Sequence, residues 1–179
     1  MILTGNDIKK EYYNGNIIID PFDEKMVNPN SYNYRLGKTL YQVVDEVIDP
    51  KIPTSVRKID IPDSGYVLMP HTLYLGSTVE VVGSNKYAMQ LIGRSSVGRL
   101  GLFLQITAPL GHVGTSHCWT LELKTVQPLR VYPFMKIGQI SFWAIYGENN
   151  LPYEGKYWQY KQPHISEFFN EFDDGDKTI

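Results

Sequence analysis

The sequence predicts a mainly β protein, an antiparallel sandwich or barrel-like jelly roll, and three observations lead there. From Ile17 onward the chain is a succession of short runs rich in Val, Ile, Leu, Tyr and Thr. The separators between these runs carry Pro, Gly, Asn or Asp. No long segment of helical period alternates with them, which argues against a parallel α/β sheet. A length of 179 residues suits one compact domain spanning 1–179, with a core large enough to need no metal or disulfide.

Taken in order, the elements begin with one short helix. Thr4, three residues before Asp7, is placed to cap it, "DIKKEYY" supplies about two turns, and Gly15 can end it. The strand candidates follow: "IIID" at 17–20, "SYNYRL" at 31–36, "LYQVVDEV" at 40–47, "GYVLM" at 65–69 and "TLYLGSTVEVV" at 72–82. After these come "YAMQLI" at 87–92, "LFLQIT" at 102–107, "HCWTLELKT" at 117–125, "LRVY" at 129–132 and "IGQISFWAIY" at 137–146. The acidic end "EFDDGDKTI" reads as a solvated tail.

Composition narrows the function classes. A formal net charge of −2 gives no global attraction to nucleic acid or to an anionic membrane, so any phosphate must be held by a local site, and a small phosphorylated ligand fits better than a polymer. The one cysteine, Cys118, rules out an intramolecular disulfide and a multi-cysteine metal cluster, and it suits a reducing compartment. The N-terminus "MILTGNDIKKEYYNGN" has no basic region followed by a long apolar core, so no signal peptide is expected, and no window approaches the roughly 18 apolar residues of a membrane span. The expected location is the cytoplasm.

Two stretches carry chemistry. In "HCWTLELKT", Trp119, Leu121 and Leu123 share one face by strand alternation, and Cys118, Thr120, Glu122 and Lys124 share the other. Glu122 therefore sits mid-strand on the polar side, either on a solvated sheet face or aimed into a ligand site. In "GRSSVGRLGL", 93–102, three glycines, two serines and two arginines follow the apolar run "YAMQLI". If "SSVGRLG" makes a helical turn, Ser95 and Arg99 share a face at i and i+4, with Arg94 just before it. Hydroxyls, free N–H groups and guanidinium make a cradle for phosphate oxygens, although the same residues also make plain turns.

"GRSSVGRLGL", followed some twenty residues later by "TLEL", resembles the nucleotide-binding and catalytic motifs of the dCTP deaminase family, part of the trimeric dUTPase superfamily. The resemblance spans almost the whole chain. "IDPFDEKMVNPNSYNYRLG" is similar to the family's Pro-Ser-Asp-Arg-Leu-Gly segment, with Asn33 where Asp is usual. "LMPHTLYLGSTVEVV" is similar to its Pro-Gly-Glu strand pair, "PFMKIGQISF" to its late Gly-Met strand and "PYEGKYWQYKQP" to its tail motif. The resemblance implies a distorted, dUTPase-like β jelly roll that forms a homotrimer with active sites between subunits. It implies that Arg94, Ser95 and Ser96 hold the triphosphate, and that Ser95, Arg99, the backbone around Ala108 and Glu122 surround the cytosine and the attacking water. Tyr153, Lys156 and Tyr160 would belong to a tail, from about residue 150 to 179, that closes over the site. Mg²⁺ would bridge the phosphate oxygens, with no protein side chain as a metal ligand.

The implied reaction is hydrolytic deamination of dCTP to dUTP and ammonia, in deoxyuridine nucleotide supply for thymidylate synthesis, with dTTP as a feedback ligand. The zinc deaminases carry a His/Cys-x-Glu and Pro-Cys-x-x-Cys signature, which this sequence lacks, so Glu122 is expected to activate the water without zinc. Arg99 cannot act as a base and would fix Glu122 and Ser95. The family's Ala-x-x-Ile-Asp-Pro-Gly-Phe segment has an aspartate that contacts the sugar 3′-hydroxyl, and a gapless count places His112 there. One imidazole acceptor in place of two carboxylate oxygens favours dUTP as the main product. The alternatives are a bifunctional enzyme forming dUMP, a dUTPase, or a non-catalytic nucleotide-binding regulatory trimer. The tail departs too, with Tyr160, Lys161 and Gln162 where the family has Gln and then Gly after "KY". His71, His117 and His164 have no metal-ligand spacing and read as surface or satisfied histidines.

Overall fold

The computed structural model describes residues 1–104, 108–147 and 161–173. The chain opens with α1 (Gly5–Tyr13), capped by the Thr4 side chain, which accepts from the Asp7 N–H at 3.2 Å. Gly15, at φ 75°, follows its end in the left-handed conformation that favours glycine there. Strands then dominate: β1 (Ile17–Asp20), β2 (Val27–Asn28), β3 (Ser31–Arg35), β4 (Thr39–Val43), β5 (Val56–Asp60), β6 (Tyr66–Leu68), β7 (Tyr74–Ser84) and β8 (Tyr87–Gly93). A single helical turn, α2 (Ser95–Gly98), separates β8 from β9 (Leu102–Phe103). Next come β10 (Leu110–Gly111), β11 (Ser116–Thr125), β12 (Leu129–Val131), β13 (Lys136–Ala144) and the terminal α3 (Asn170–Asp173).

Every pairing is antiparallel, as the sequence predicts. One sheet runs β5-β4-β7-β11-β9, with β1 on the far end of β7; the second runs β10-β8-β13-β3-β2; β12 and β6 form a separate ribbon. Both large sheets feed one apolar core. The first contributes Leu40, Val82, Leu121 and Leu123, and the second contributes Tyr32, Tyr34, Met89, Leu91, Ile140 and Phe142. Gly138 is required where β13 crosses β3, because a Cβ there would run into the Tyr34 ring.

The expected elements recur with three differences. "LYQVVDEV" pairs only as far as Val43, and residues 44–55 form the connection into β5, which the sequence reading did not predict. "LFLQIT" is a strand only at Leu102–Phe103, and residues 105–107 lie outside the described residues. The third difference is a bulge in the pairing of β7 with β11. Cys118 faces Val81 while Thr120 faces Ser77, so Thr78, Val79 and Glu80 stand opposite Trp119 alone. The Thr78 hydroxyl bridges the gap, accepting from the Trp119 N–H at 2.9 Å and donating to the Glu80 carbonyl at 2.7 Å. The bulge also turns Glu80 into the interior, where Arg35 meets it through Nε at 2.6 Å and through its backbone N–H at 2.9 Å. No helix among the described residues is long and apolar enough to cross a membrane.

Candidate active site

Strand β11 divides its side chains between the core and a cavity. Leu121 and Leu123 are fully buried in the core, and Thr120 and Glu122 point the other way. Their face borders a cavity of about 530 Å³, a size suited to a small ligand. Cys118, Trp119 and His117 continue this wall along the strand. Trp119 was expected with Leu121 and Leu123 in the core. It instead packs on the core's margin and also borders the cavity, because the bulge rotates the strand at this point.

A hairpin forms the second wall. Strand β10 leads through the turn 112–115 into β11, with Ala108, Leu110, His112 and Thr115 on the cavity. Gly114, at φ 92°, supplies the backbone reversal, and the Thr115 hydroxyl closes the turn on the His112 carbonyl at 2.8 Å. Ile48 and Thr54 from the β4–β5 connection, and His164, Ile165 and Ser166 from the C-terminal segment, complete the enclosure. His164 anchors that segment, its N–H donating to the Thr120 hydroxyl at 3.2 Å and its ring pairing with Glu167 at 2.7 Å.

Glu122 is the carboxylate of this cavity. Burial pushes its pKa above the ordinary value of 4.5, and no hydrogen bond or ion pair holds its carboxyl among the described residues. A half-buried carboxyl poised in this way holds its proton to a higher pH than a solvated one, which suits a group that both takes and returns a proton. The sequence leaves a solvated face or a ligand site open for Glu122, and in the structure its face borders a cavity.

The "GRSSVGRLGL" stretch does fold into a helical turn after β8. Val97 is buried and anchors α2, while Gly98 N–H and Arg99 N–H bond back to the carbonyls of Arg94 and Ser95 at 2.8 and 3.1 Å. Arg94 precedes the turn, and its guanidinium donates to the Lys136 carbonyl at 3.2 Å. Ser95, Ser96 and Arg99 are exposed. None of Arg94, Ser95, Ser96 or Arg99 borders the cavity that holds Glu122, Ala108 and His112. Within one chain, the expected site residues therefore fall into two groups that are not brought together. Tyr153, Lys156 and Tyr160 lie outside the described residues.

A family model described as dCTP deaminase-like matches residues 2–145. The chain belongs to the dCTP deaminase-like family. A Clostridium beijerinckii protein named "dCTP deaminase, dUMP-forming" is 46% identical over 173 residues, which cover 97% of this chain and 99% of the other. A Rhodopirellula baltica protein named "dCTP deaminase" is 43% identical over 157 residues, 88% of this chain and 79% of the other. The crystal structure of 2′-deoxycytidine 5′-triphosphate deaminase from Agrobacterium tumefaciens shares the fold at a TM-score of 0.63 and 22% identity, covering 79% of this chain and 47% of that longer one. The two stretches that resemble the family's motifs, "GRSSVGRLGL" and "TLEL", fold as the end of β8 with the α2 turn and as the part of β11 that carries Glu122.

Of the surface or satisfied histidines that the sequence suggests, His117 is the satisfied kind: it is buried on the cavity wall, a place the sequence reading did not assign to it, and its Nδ1 is held by the Cys118 carbonyl at 3.0 Å. His71, by contrast, is exposed in a turn at φ 60°.

Proposed function

We propose that this protein hydrolyses the amino group of dCTP, with Glu122 as the proton carrier. The observation that carries the reading is the half-buried Glu122 carboxyl, raised in pKa by burial and facing a nucleoside-sized cavity in a dCTP deaminase-like chain. A bound base deepens that burial. Ionised Glu122 takes a proton from a water as its oxygen attacks cytosine C4, giving a tetrahedral centre. The same carboxyl then returns the proton to the amino nitrogen, the C4–N bond breaks, and ammonia leaves a uracil base. The atoms balance with one water consumed.

In this reading Arg94, Ser95 and Ser96 hold the triphosphate, and Ser95 and Arg99 reach the base and Glu122. Their separation from the cavity within one chain supports a homotrimer in which a neighbour's α2 turn completes each site. The backbone around Ala108 frames the base, and Tyr153, Lys156 and Tyr160 close over the phosphates. The α2 donor set of hydroxyls, N–H groups and guanidinium suits an anion rather than a cation. Mg²⁺ would therefore be held by the nucleotide rather than by a side chain of this chain, and would neutralise part of the phosphate charge that Arg94, Ser95 and Ser96 hold. A cytoplasmic location and dTTP feedback belong to the same reading.

The product is a second question. His112 in the aspartate position favours stopping at dUTP, whereas relatives at 42–47% identity carry names that say dUMP-forming, which favours continuing to dUMP. Incubation with dCTP and Mg²⁺, resolved by ion-exchange chromatography, separates the readings. Deamination gives ammonia with dUTP, or with dUMP and pyrophosphate if the chain is bifunctional. Turnover of dUTP alone would make it a dUTPase. Tight nucleotide binding without any product would make it a regulatory trimer and overturn the proposal.

A further inference from the structure

The cavity that holds Glu122 has a roof that belongs to neither large sheet. Among the described residues, 163–169 pair with no strand, yet His164, Ile165 and Ser166 border the cavity. The His164 N–H donates to the Thr120 hydroxyl at 3.2 Å, the His164 ring meets Glu167 at 2.7 Å, and the neighbouring Pro163 is buried. Further along, the Phe168 and Phe172 rings stand edge to face with centroids 5.4 Å apart, and Lys51 of the β4–β5 connection lies over the Phe172 ring at 5.7 Å.

The contact with Thr120 decides where this roof sits. Thr120 and Glu122 are two residues apart on one face of β11, so their Cα atoms lie about 7 Å from each other. A hydrogen bond to the Thr120 hydroxyl therefore holds His164 and Ile165 over the part of the wall that carries the carboxyl. Outside regular structure, this segment has no ladder of backbone bonds to keep it there, so one side chain of β11 can determine its seat.

We propose that the segment Pro163–Ser166 is the solvent shield of Glu122, and that Thr120 is the positioning residue that seats it. The catalytic meaning of the shield rests on the deaminase reading. Water kept from one side of a carboxyl disfavours its ionised form, which agrees with burial as the cause of the raised Glu122 pKa. The other titratable groups on the cavity are His112 on the hairpin, His117 and Cys118 on β11, and His164 on the roof; β4, β7 and the β4–β5 connection bring none. In the proposed trimer a neighbouring copy adds Arg99. Shielding and charge predict opposite signs. Unseating a roof that shields lowers the Glu122 pKa, whereas moving a charged His164 away raises it.

The test is a pH titration of full-length, ligand-free protein labelled with ¹³C at glutamate Cδ, with Glu122→Gln identifying the resonance. Wild-type Glu122 should titrate above the ordinary 4.5. Thr120→Val keeps the side-chain shape and removes the acceptor, and Ile165→Gly opens the roof with Thr120 intact; each should bring the midpoint down toward 4.5. Thr120→Ser retains the acceptor and should leave the midpoint in place. The acidic limb of kcat/KM for dCTP, which reports the free enzyme's base, should move to lower pH in the first two variants and stay in the third. A midpoint that is unmoved or raised in either Thr120→Val or Ile165→Gly, or one lowered as far by Thr120→Ser as by Thr120→Val, overturns the proposal. Normal ammonia release with an unmoved midpoint defeats the shield alone. The expected shifts without ammonia release from dCTP uphold the shield and defeat the deaminase reading.

Discussion

Glu122 sits between Leu121 and Leu123, and that setting determines its chemistry. The two leucines are fixed in the core, so strand alternation obliges the carboxyl to face the cavity, and partial desolvation raises its pKa. Glu122→Gln keeps the shape and removes the base, so turnover should fall by about 10²–10⁴ while dCTP still binds, as read by steady-state rates and titration. Stability should respond as well. A carboxyl whose folded pKa is raised contributes stability that is present below its unfolded pKa and lost as pH rises through the folded value. The glutamine cannot ionise, so the melting temperature of Glu122→Gln relative to wild type should rise between pH 4 and pH 7. A constant difference would mean that Glu122 is not desolvated. Glu122 was legible because a carboxylate stood out in an alternating apolar strand. That Trp119 and His117 both reach the cavity wall was not, because the register shifts between Cys118 and Thr120, opposite a bulge in β7 that leaves no mark in the period of β11 itself.

At the scale of elements, α2 is the part to which the proposed reading gives the phosphates. Buried Val97 and the backbone bonds from Gly98 and Arg99 hold the turn, which leaves Ser95, Ser96 and Arg99 outward with Arg94 at its start. Arg94→Ala should weaken dCTP binding by about 1.5–3 kcal/mol, the range for hydrogen bonds to charged groups, and leave deoxycytidine binding unchanged. Equal dCTP affinity by calorimetry would reduce the stretch to a structural turn. This helix and most strands were legible from glycine punctuation and β-branched runs. The strand β5 was not: "VRKID" is an edge strand whose Arg57, Lys58 and Asp60 are exposed, and such charges, which protect an edge from further pairing, read as loop. Residues 44–47 misled in the opposite direction. Val44 and Val47 extend the apolar run of β4, yet both are exposed in the connection beside the cavity.

At the scale of the molecule, the phosphate cradle and the carboxylate cavity occupy different places on one chain, and the account requires them to act together. A symmetric assembly meets that requirement if the α2 turn of one copy faces the Glu122 cavity of the next. Sequence motifs identify both halves but carry no information on which copy supplies them, because spacing along the chain does not encode contacts between chains. The direct measurement is complementation. Arg99→Ala and Glu122→Gln proteins, each inactive alone, are co-expressed with different tags, and the mixed assembly is purified through both. In a mixed trimer, whichever parent contributes two copies, one of the three sites combines an intact cavity from one parent with an intact turn from the other. Ammonia release from dCTP should therefore recover to about a third of the wild-type rate. Mixed assemblies that stay as inactive as either parent would contradict the shared site, and would mean that cavity and cradle do not meet across a subunit boundary.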